Sequence, residues 1–268
     1  MDTLSGYFAR ILIIEEKLKA EVRARLPLAL DIDELLLDPS GVADQLFMGV
    51  LTIARDEYLE IESRAYIFAR EINGGKDVIT ADSVATDEGL RKLADTSGLV
   101  IEKFMLDFEA AVSRMADSGM LRDRIRAALA GGLEPLRLSP MFSSLVQGLA
   151  QAVAAGVQYT ANTALLHSLA ATPGQPNEDD EEWVWVTVED LHVCVDCRPR
   201  HDVIRTLLEW EQLGMPKSGW SICDERCRCM IMPAVFARAH LDMTSPIQLD
   251  RAAVLAIGDR AADLAETR

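Results

Sequence analysis

All five cysteines of this 268-residue chain lie between Cys194 and Cys229. Cys194 and Cys197 form a C-x-x-C knuckle, a spacing that lets two thiolates bind one tetrahedral metal ion. Cys223, together with Cys227 or Cys229, can complete such a site from a second loop. Four soft sulfur ligands in two pairs favour zinc. The spacing therefore predicts a structural zinc site formed by Cys194, Cys197, Cys223 and Cys227.

Two further residues compete for a position in this site. His201 follows Cys197 by four residues, and Cys229 ends the cysteine-rich stretch. Five thiols and one imidazole exceed the four positions of a tetrahedral site, so at least one of these groups is not a ligand. Cys229 and His201 are therefore the reserve ligands.

Two other interpretations of the cysteines stay open. A C-x-x-C pair can be a redox pair, although thioredoxin-like motifs lie inside a βαβ pattern and none surrounds Cys194. The cysteines can also be buried and reduced without metal, because spacing alone does not set zinc affinity. The sequence carries neither the zinc-deaminase nor the H-E-x-x-H signature, and we recognise no nucleophile-base pair or glycine-rich phosphate loop. We therefore predict a closed structural site and no enzymatic activity.

Composition and charge restrict the class of protein. A hydrophobic content of 49% with 26% charged residues is typical of a globular protein. The formal net charge of -16 argues against a broad electrostatic surface for nucleic acid or for an anionic membrane. The N-terminal apolar run covers only Ile11 to Ile14, so we expect neither a signal peptide nor a membrane span. A reducing compartment is then expected, in which clustered cysteines bind metal more often than they form disulfides.

Apolar residues recur every three or four positions in four segments, which predicts helices. These segments are residues 1–26, Phe47 to Ile72, Ile101 to Met115 and Pro140 to Leu169. Ser139 and Pro140 are typical of a helix start, and the many Ala and Gly residues that follow would let another helix approach closely. Residues 1–172 are therefore predicted to form an elongated helical region.

The second segment has a coiled-coil-like stripe, which we call the seam. The seam consists of Phe47, Leu51, Ala54, Tyr58, Ile61, Ala65, Phe68 and Ile72. An apolar stripe of this length must be buried, either by other helices of the same chain or by a partner.

The sequence changes character at residues 173–182, where prolines, a glycine and five acids mark a solvated linker. From Trp183 to Val188, valine alternates with tryptophan or threonine, which predicts a β-strand. Residues 183–268 form the predicted cysteine-rich domain, and its last amphipathic segment, Ile247 to Leu264, is predicted to be a terminal helix. The predicted fold class is thus mainly α, with a small α+β, zinc-stabilised domain after the helical region.

A longer motif runs through the cysteine-rich domain. It consists of Trp185, Thr187, Asp190, Cys194, Cys197 and His201, followed by the C-R-C ending at Cys227 to Cys229 and by Met232-Pro233. Over Trp183 to Pro233 the chain resembles the C-terminal domain of phage Mu F-like head morphogenesis proteins, also called minor head or minor capsid proteins. The chain departs from that family at two positions: Cys223 replaces the histidine before the C-R-C, one position further away, and Asp202 replaces a frequent glycine.

The resemblance implies a function in head assembly, by binding rather than catalysis. Proteins of this kind enter the prohead in a few copies near the portal vertex, so the implied location is the virion head and, during assembly, the host cytoplasm. The implied partners are the portal protein, the scaffold or the major capsid protein, with the helical seam as a docking surface and self-association as a further interaction. The alternatives are an effector or toxin-delivery protein and a cellular zinc-binding adaptor. The sequence indicates no membrane partner and carries no strong nucleic-acid signal.

Overall fold

The computed structural model describes residues 4–72, 83–131, 140–170, 182–189, 194–216, 220–223, 229–240, 243–244 and 247–248. Within these ranges the chain is mainly helical and carries a small three-stranded sheet. The prediction that the fold is mainly α, with a smaller part that contains strands, is thus confirmed for the described residues. None of the helices in the described ranges is long and apolar enough to cross a membrane.

The helical region contains four long helices and two short ones in its described part. The long helices are α1 (Leu4–Ala29), α3 (Pro39–Ile72), α4 (Val84–Asp117) and α6 (Pro140–Ala170). The short helices are α2 (Ile32–Leu37) and α5 (Arg122–Ala130). The long helices correspond to the four predicted segments, and α4 begins well before Ile101 because buried Ala85, Leu93 and Ser97 continue its inner face.

Local sequence explains several helix ends. The Asp31 carboxylate accepts a hydrogen bond from the Asp33 N–H at 2.7 Å and so caps α2. Helix α4 ends at the predicted Ser118-Gly119, where Gly119 has a φ of 79° that a residue with a side chain rarely adopts. Helix α6 begins at Pro140 as predicted, and the predicted cap Ser139 lies outside the described residues.

Helix α6 packs against α1, α3 and α4. Its small residues permit these contacts: a Cβ atom on Gly148 would lie 2.7 Å from Val100 Cγ1, and one on Gly156 would lie 1.9 Å from the Tyr58 hydroxyl oxygen. That hydroxyl donates a hydrogen bond to the Val153 carbonyl at 3.1 Å. The predicted close approach of another helix to α6 is thus confirmed.

The seam is covered by the same chain. Ala54, Tyr58, Ile61 and Ala65 are fully buried in the apolar core, and α3 contacts α1, α4 and α6. Of the two ways to bury the seam, the structure therefore shows coverage by the chain's own helices from Ala54 to Phe68, which leaves these side chains unavailable for docking.

The strand predicted over Trp183 to Val188 is confirmed as far as Val186: it is β1 (Glu182–Val186), which lies in the centre of the three-stranded sheet, and Val188 belongs to a second strand. It pairs antiparallel with β3 (Ile204–Thr206) on one side and with β4 (Met230–Pro233) on the other. Strand β2 (Val188–Glu189) pairs in parallel with β5 (Ile247–Gln248). Helices α7 (Leu207–Leu213) and α8 (Ala234–His240) follow β3 and β4 directly.

Both faces of β1 are buried, and they face different surroundings. Val184 and Val186 join the apolar core of the helical region. Trp183 and Trp185 lie on the other face, in a second cluster with Cys197 and Cys229 as well as Trp210 and Ile231. The alternation in the sequence therefore separates two buried faces rather than a buried face from a solvated one.

The predicted terminal helix and the predicted domain boundary fall mostly on residues outside the described ranges. The predicted terminal helix does not begin at Ile247, because Ile247 and Gln248 form β5, and residues 249–268 lie outside the described ranges. The domain boundary stays a prediction: residues 171–181, which include nearly all of the predicted linker, are not described, and Glu182 already belongs to β1.

Candidate metal centre

Three thiols gather beside the tryptophan face of β1. The sulfur atoms of Cys194, Cys197 and Cys223 all lie within 4.8 Å of one another. The Cys223 sulfur is 3.2 Å from Cys194 Sγ and 3.5 Å from Cys197 Sγ. These distances are far longer than a disulfide bond of about 2.05 Å. They fall slightly below the about 3.8 Å expected between sulfurs that share a tetrahedral zinc with bonds of about 2.3 Å. The three cysteines could therefore hold a metal ion after a small expansion of the cluster.

The C-x-x-C knuckle is shaped by its own backbone. The Cys197 N–H donates to Cys194 Sγ at 3.4 Å, and the Arg198 N–H donates to the Cys194 carbonyl at 3.2 Å. A single 3₁₀ turn, Arg198–Arg200, follows directly. The Thr187 hydroxyl donates to the Cys197 carbonyl at 3.3 Å and ties the knuckle to the end of β1. These contacts fix the two cysteines of the motif relative to each other and to β1.

The third thiol comes from a second loop that is attached to the knuckle. The Ile222 N–H donates to the Asp196 carboxylate at 2.8 Å, so a residue inside the C-x-x-C motif holds the residue before Cys223. The Ser221 hydroxyl lies 3.3 Å from Cys223 Sγ. Cys223 is thus placed opposite the knuckle by contacts that no sequence spacing specifies.

His201, one of the reserve ligands, does not belong to the thiol group. Its Nδ1 atom accepts a hydrogen bond from the Thr187 N–H at 3.1 Å. A histidine that binds metal through Nε2 ordinarily carries its proton on Nδ1 and donates it to a neighbour. Because Nδ1 accepts a hydrogen bond here instead of donating one, the geometry argues against His201 as a ligand. Its hydrogen bond instead joins the end of the 3₁₀ turn to β1.

The remaining predicted site residues divide into two groups. Cys229, the other reserve ligand, is 4% exposed, precedes β4 and packs in the tryptophan cluster, and it is not among the three gathered thiols. Cys227, the fourth predicted ligand, lies outside the described residues, as do Asp190 and the central arginine of the C-R-C ending, Arg228. The choice of Cys227 therefore stays a prediction.

The sequence reasoning missed Arg200. Its guanidinium carbon lies 3.4 Å from the centre of the Trp220 ring and also faces Trp185 and Trp210, at 5.1 and 5.6 Å. Burial among these rings lowers the pKa of Arg200, while the nearby Cys197 and Asp196 oppose that shift. The sequence could not single it out, because Arg198, Arg200 and Arg205 all lie between Trp185 and Trp210. Three of the chain's four tryptophans, Trp183, Trp185 and Trp210, are buried in the second cluster, and Trp220 packs against it.

The chain matches no protein-family model, no curated protein and no solved structure in the comparisons made with each of these sets.

Proposed function

We propose that the three gathered thiols hold a structural zinc ion. A site of thiolates alone selects soft or borderline ions, and zinc is the ion that most often serves a structural role in such sites. The fourth ligand predicted from the spacing is Cys227. Zinc would join the knuckle to the loop that carries Cys223. A hydrogen bond from the Ile222 N–H to the Asp196 carboxylate already connects these two segments.

Metal analysis of purified protein tests this proposal, with two cysteine variants as a matched pair. Wild-type protein should carry close to one zinc per chain. Cys223→Ser should lower the zinc content strongly, because it removes a ligand, whereas Cys229→Ser should retain it, because Cys229 is outside the thiol group. Metal-free wild-type protein, or equal zinc loss in both variants, would contradict the proposal.

We further propose that the protein acts in phage head morphogenesis near the portal, by binding rather than by catalysis. The observation that carries this proposal is that residues of the Mu F-like motif contact one another. Thr187 donates hydrogen bonds to both the Cys197 carbonyl and the His201 ring, so three separated motif positions form one structural unit. Such contacts give a physical reason for the spacing of the motif.

Asp202 supports the same resemblance at a position where the sequence departs from it. The residue has a φ of 62°, in the left-handed region that glycine adopts freely and aspartate tolerates. A glycine is frequent at this position in the family. The backbone therefore explains why glycine suits the position and why aspartate can replace it.

The docking surface must lie outside the buried seam. Leu99 and Leu106 are 68% and 61% exposed, and they lie two turns apart on α4. Replacing both with glutamine removes exposed apolar surface without disturbing the core. The matched control replaces the exposed Asp95 with asparagine and the exposed Glu109 with glutamine on the same helix.

Proheads assembled with each variant, then purified and analysed for protein content, test the function. Wild-type protein and the control variant should be incorporated, and wild-type protein should co-purify with portal protein. The leucine variant should be depleted from proheads while its helical content and thermal stability remain unchanged. Proheads that contain no wild-type protein would reject the assembly function, and an effector or adaptor function would then take its place.

A further inference from the structure

Arg200 lies between the two loops that carry the thiols. It follows Cys197 by three residues, and the Trp220 ring on which it stacks precedes Cys223 by three residues. The stacking contact therefore joins the knuckle to the second thiol loop. The hydrogen bond between the Asp196 carboxylate and the Ile222 N–H joins the same two loops at an exposed position.

The Arg200 side chain is held in this place by two further contacts. Its Nη1 and Nη2 atoms donate to the Gly214 carbonyl at 2.7 Å and to the Leu213 carbonyl at 2.8 Å, at the end of α7. A guanidinium can stack on a ring and donate in its own plane at the same time, whereas an ammonium lacks this planar fork. Arg200 thus connects α7, the tryptophan cluster and both thiol loops.

The charge of Arg200 also suits the thiol cluster. A Zn²⁺ ion with three thiolates carries a net charge of -1, and one with four carries -2, as follows from the charges of the ion and its ligands. Cys197 is buried, and a negative centre in such surroundings is stabilised by a nearby fixed cation. Burial lowers the pKa of Arg200, and the nearby Cys197 and Asp196 act in the opposite direction, so the guanidinium lies close enough to the knuckle to interact with its charge.

We propose that Arg200 is a positioning residue for the metal site, which holds the two thiol loops at binding distance and supplies positive charge beside an anionic metal-thiolate centre. This inference rests on the proposed metal-binding function. It predicts that the affinity for a thiolate-bound divalent ion depends on a residue that contributes no ligand atom.

Titration of the metal-free full-length protein with Co²⁺ tests the inference. Tetrahedral thiolate-bound Co²⁺ has a sulfur-to-metal absorption band, which reports the ligand set separately from the affinity. Arg200→Met should weaken Co²⁺ binding about 10- to 100-fold, the usual range for residues that support metal ligands, while the saturated band keeps its position. Arg200→Lys retains the charge without the planar fork and should lose several-fold less affinity than Arg200→Met.

Arg205→Met is the matched control. Arg205 is exposed on β3 and donates a side-chain hydrogen bond to the neighbouring Ile204 carbonyl, away from the thiol loops, so this variant should bind Co²⁺ like wild type. If Arg200→Met also binds like wild type, the inference is overturned and the metal site stands. If wild-type protein itself binds neither Co²⁺ nor Zn²⁺, both are overturned. Should Arg200→Met be insoluble, Arg200→Lys decides, since weaker binding supports the inference and unchanged binding overturns it.

Discussion

The helical region, from α1 to α6, buries a continuous apolar core, whereas the region from β1 to β4 brings thiols and tryptophans together around Arg200. The helical region packs mainly apolar side chains along long helices. Helices α3 and α4 are each about 50 Å long at the usual rise per residue. The cysteine-rich region has short strands and loops, so its side chains bury less apolar surface against one another.

The difference shows how each region is stabilised. In the helical region, close packing at Gly148 and Gly156 brings helices into contact, and stability scales with buried apolar area. In the cysteine-rich region, one face of β1 packs Val184 and Val186 into the apolar core of the helical region. The other face packs in the tryptophan cluster, beside three thiols that could hold a metal ion. The structural zinc proposed there would contribute roughly 10 kcal/mol. The two regions should therefore respond differently to the same perturbation.

The largest expected effect is the loss of metal. Cys197→Ser should release zinc and destabilise the cysteine-rich region by several kcal/mol, because structural zinc binding supplies roughly 10 kcal/mol in small domains. The helices should remain, since their core contains no cysteine. All four tryptophans lie after residue 182, so their fluorescence reports this region while far-UV circular dichroism reports mainly the helices. Equal loss of both signals would show that the regions do not differ in this way.

The next effect concerns the helical region alone. Gly156→Val should destabilise it by about 1–3 kcal/mol or more, because the new side chain collides with the Tyr58 ring system and separates α3 from α6. Gly98→Ala is the control, since a Cβ atom there meets nothing within 4 Å, and it should stabilise α4 by about 0.5–1 kcal/mol. Thermal unfolding followed by circular dichroism measures both. Similar midpoints for the two variants would contradict the packing argument.

A smaller effect is expected at Asp202, in the cysteine-rich region. Asp202→Val should cost about 1–2 kcal/mol, because a β-branched residue fits the left-handed backbone poorly, whereas Asp202→Gly should be neutral or stabilising. Tryptophan fluorescence during denaturation of the zinc-loaded protein gives the comparison. Equal stability of the valine and glycine variants would show that the left-handed backbone at residue 202 does not disfavour a β-branched side chain.

The smallest effect on stability should come from cutting the chain between the regions. Limited proteolysis should cleave first between Thr172 and Glu182 and give two folded pieces. The pieces should stay associated in size-exclusion chromatography, because Val184 and Val186 pack in the helical core. First cuts within Phe47 to Ile72 would place the boundary elsewhere.

Much of the helical region could be predicted from its sequence. A helix repeats every 3.6 residues, so a buried face leaves a pattern within one segment, and the seam shows it from Ala54 to Phe68. The strand β1 was predictable for the same reason, through its alternation of valine and tryptophan. Strands β3 and β4 were not predicted, because three or four residues are too few to show a period, and β4 is apolar throughout.

By itself the sequence determined the four long helices, the central strand and the C-x-x-C knuckle, because each depends on residues close together in the chain. Only the tertiary structure decided that the seam is covered by α1, α4 and α6, and that the reserve ligands Cys229 and His201 lie outside the group that the predicted ligand Cys223 forms with the knuckle. The same holds for Arg200, whose stacking partner Trp220 follows it by twenty positions. These contacts join segments that are distant in sequence, and their geometry is set by how β1 packs against two different clusters rather than by any local spacing.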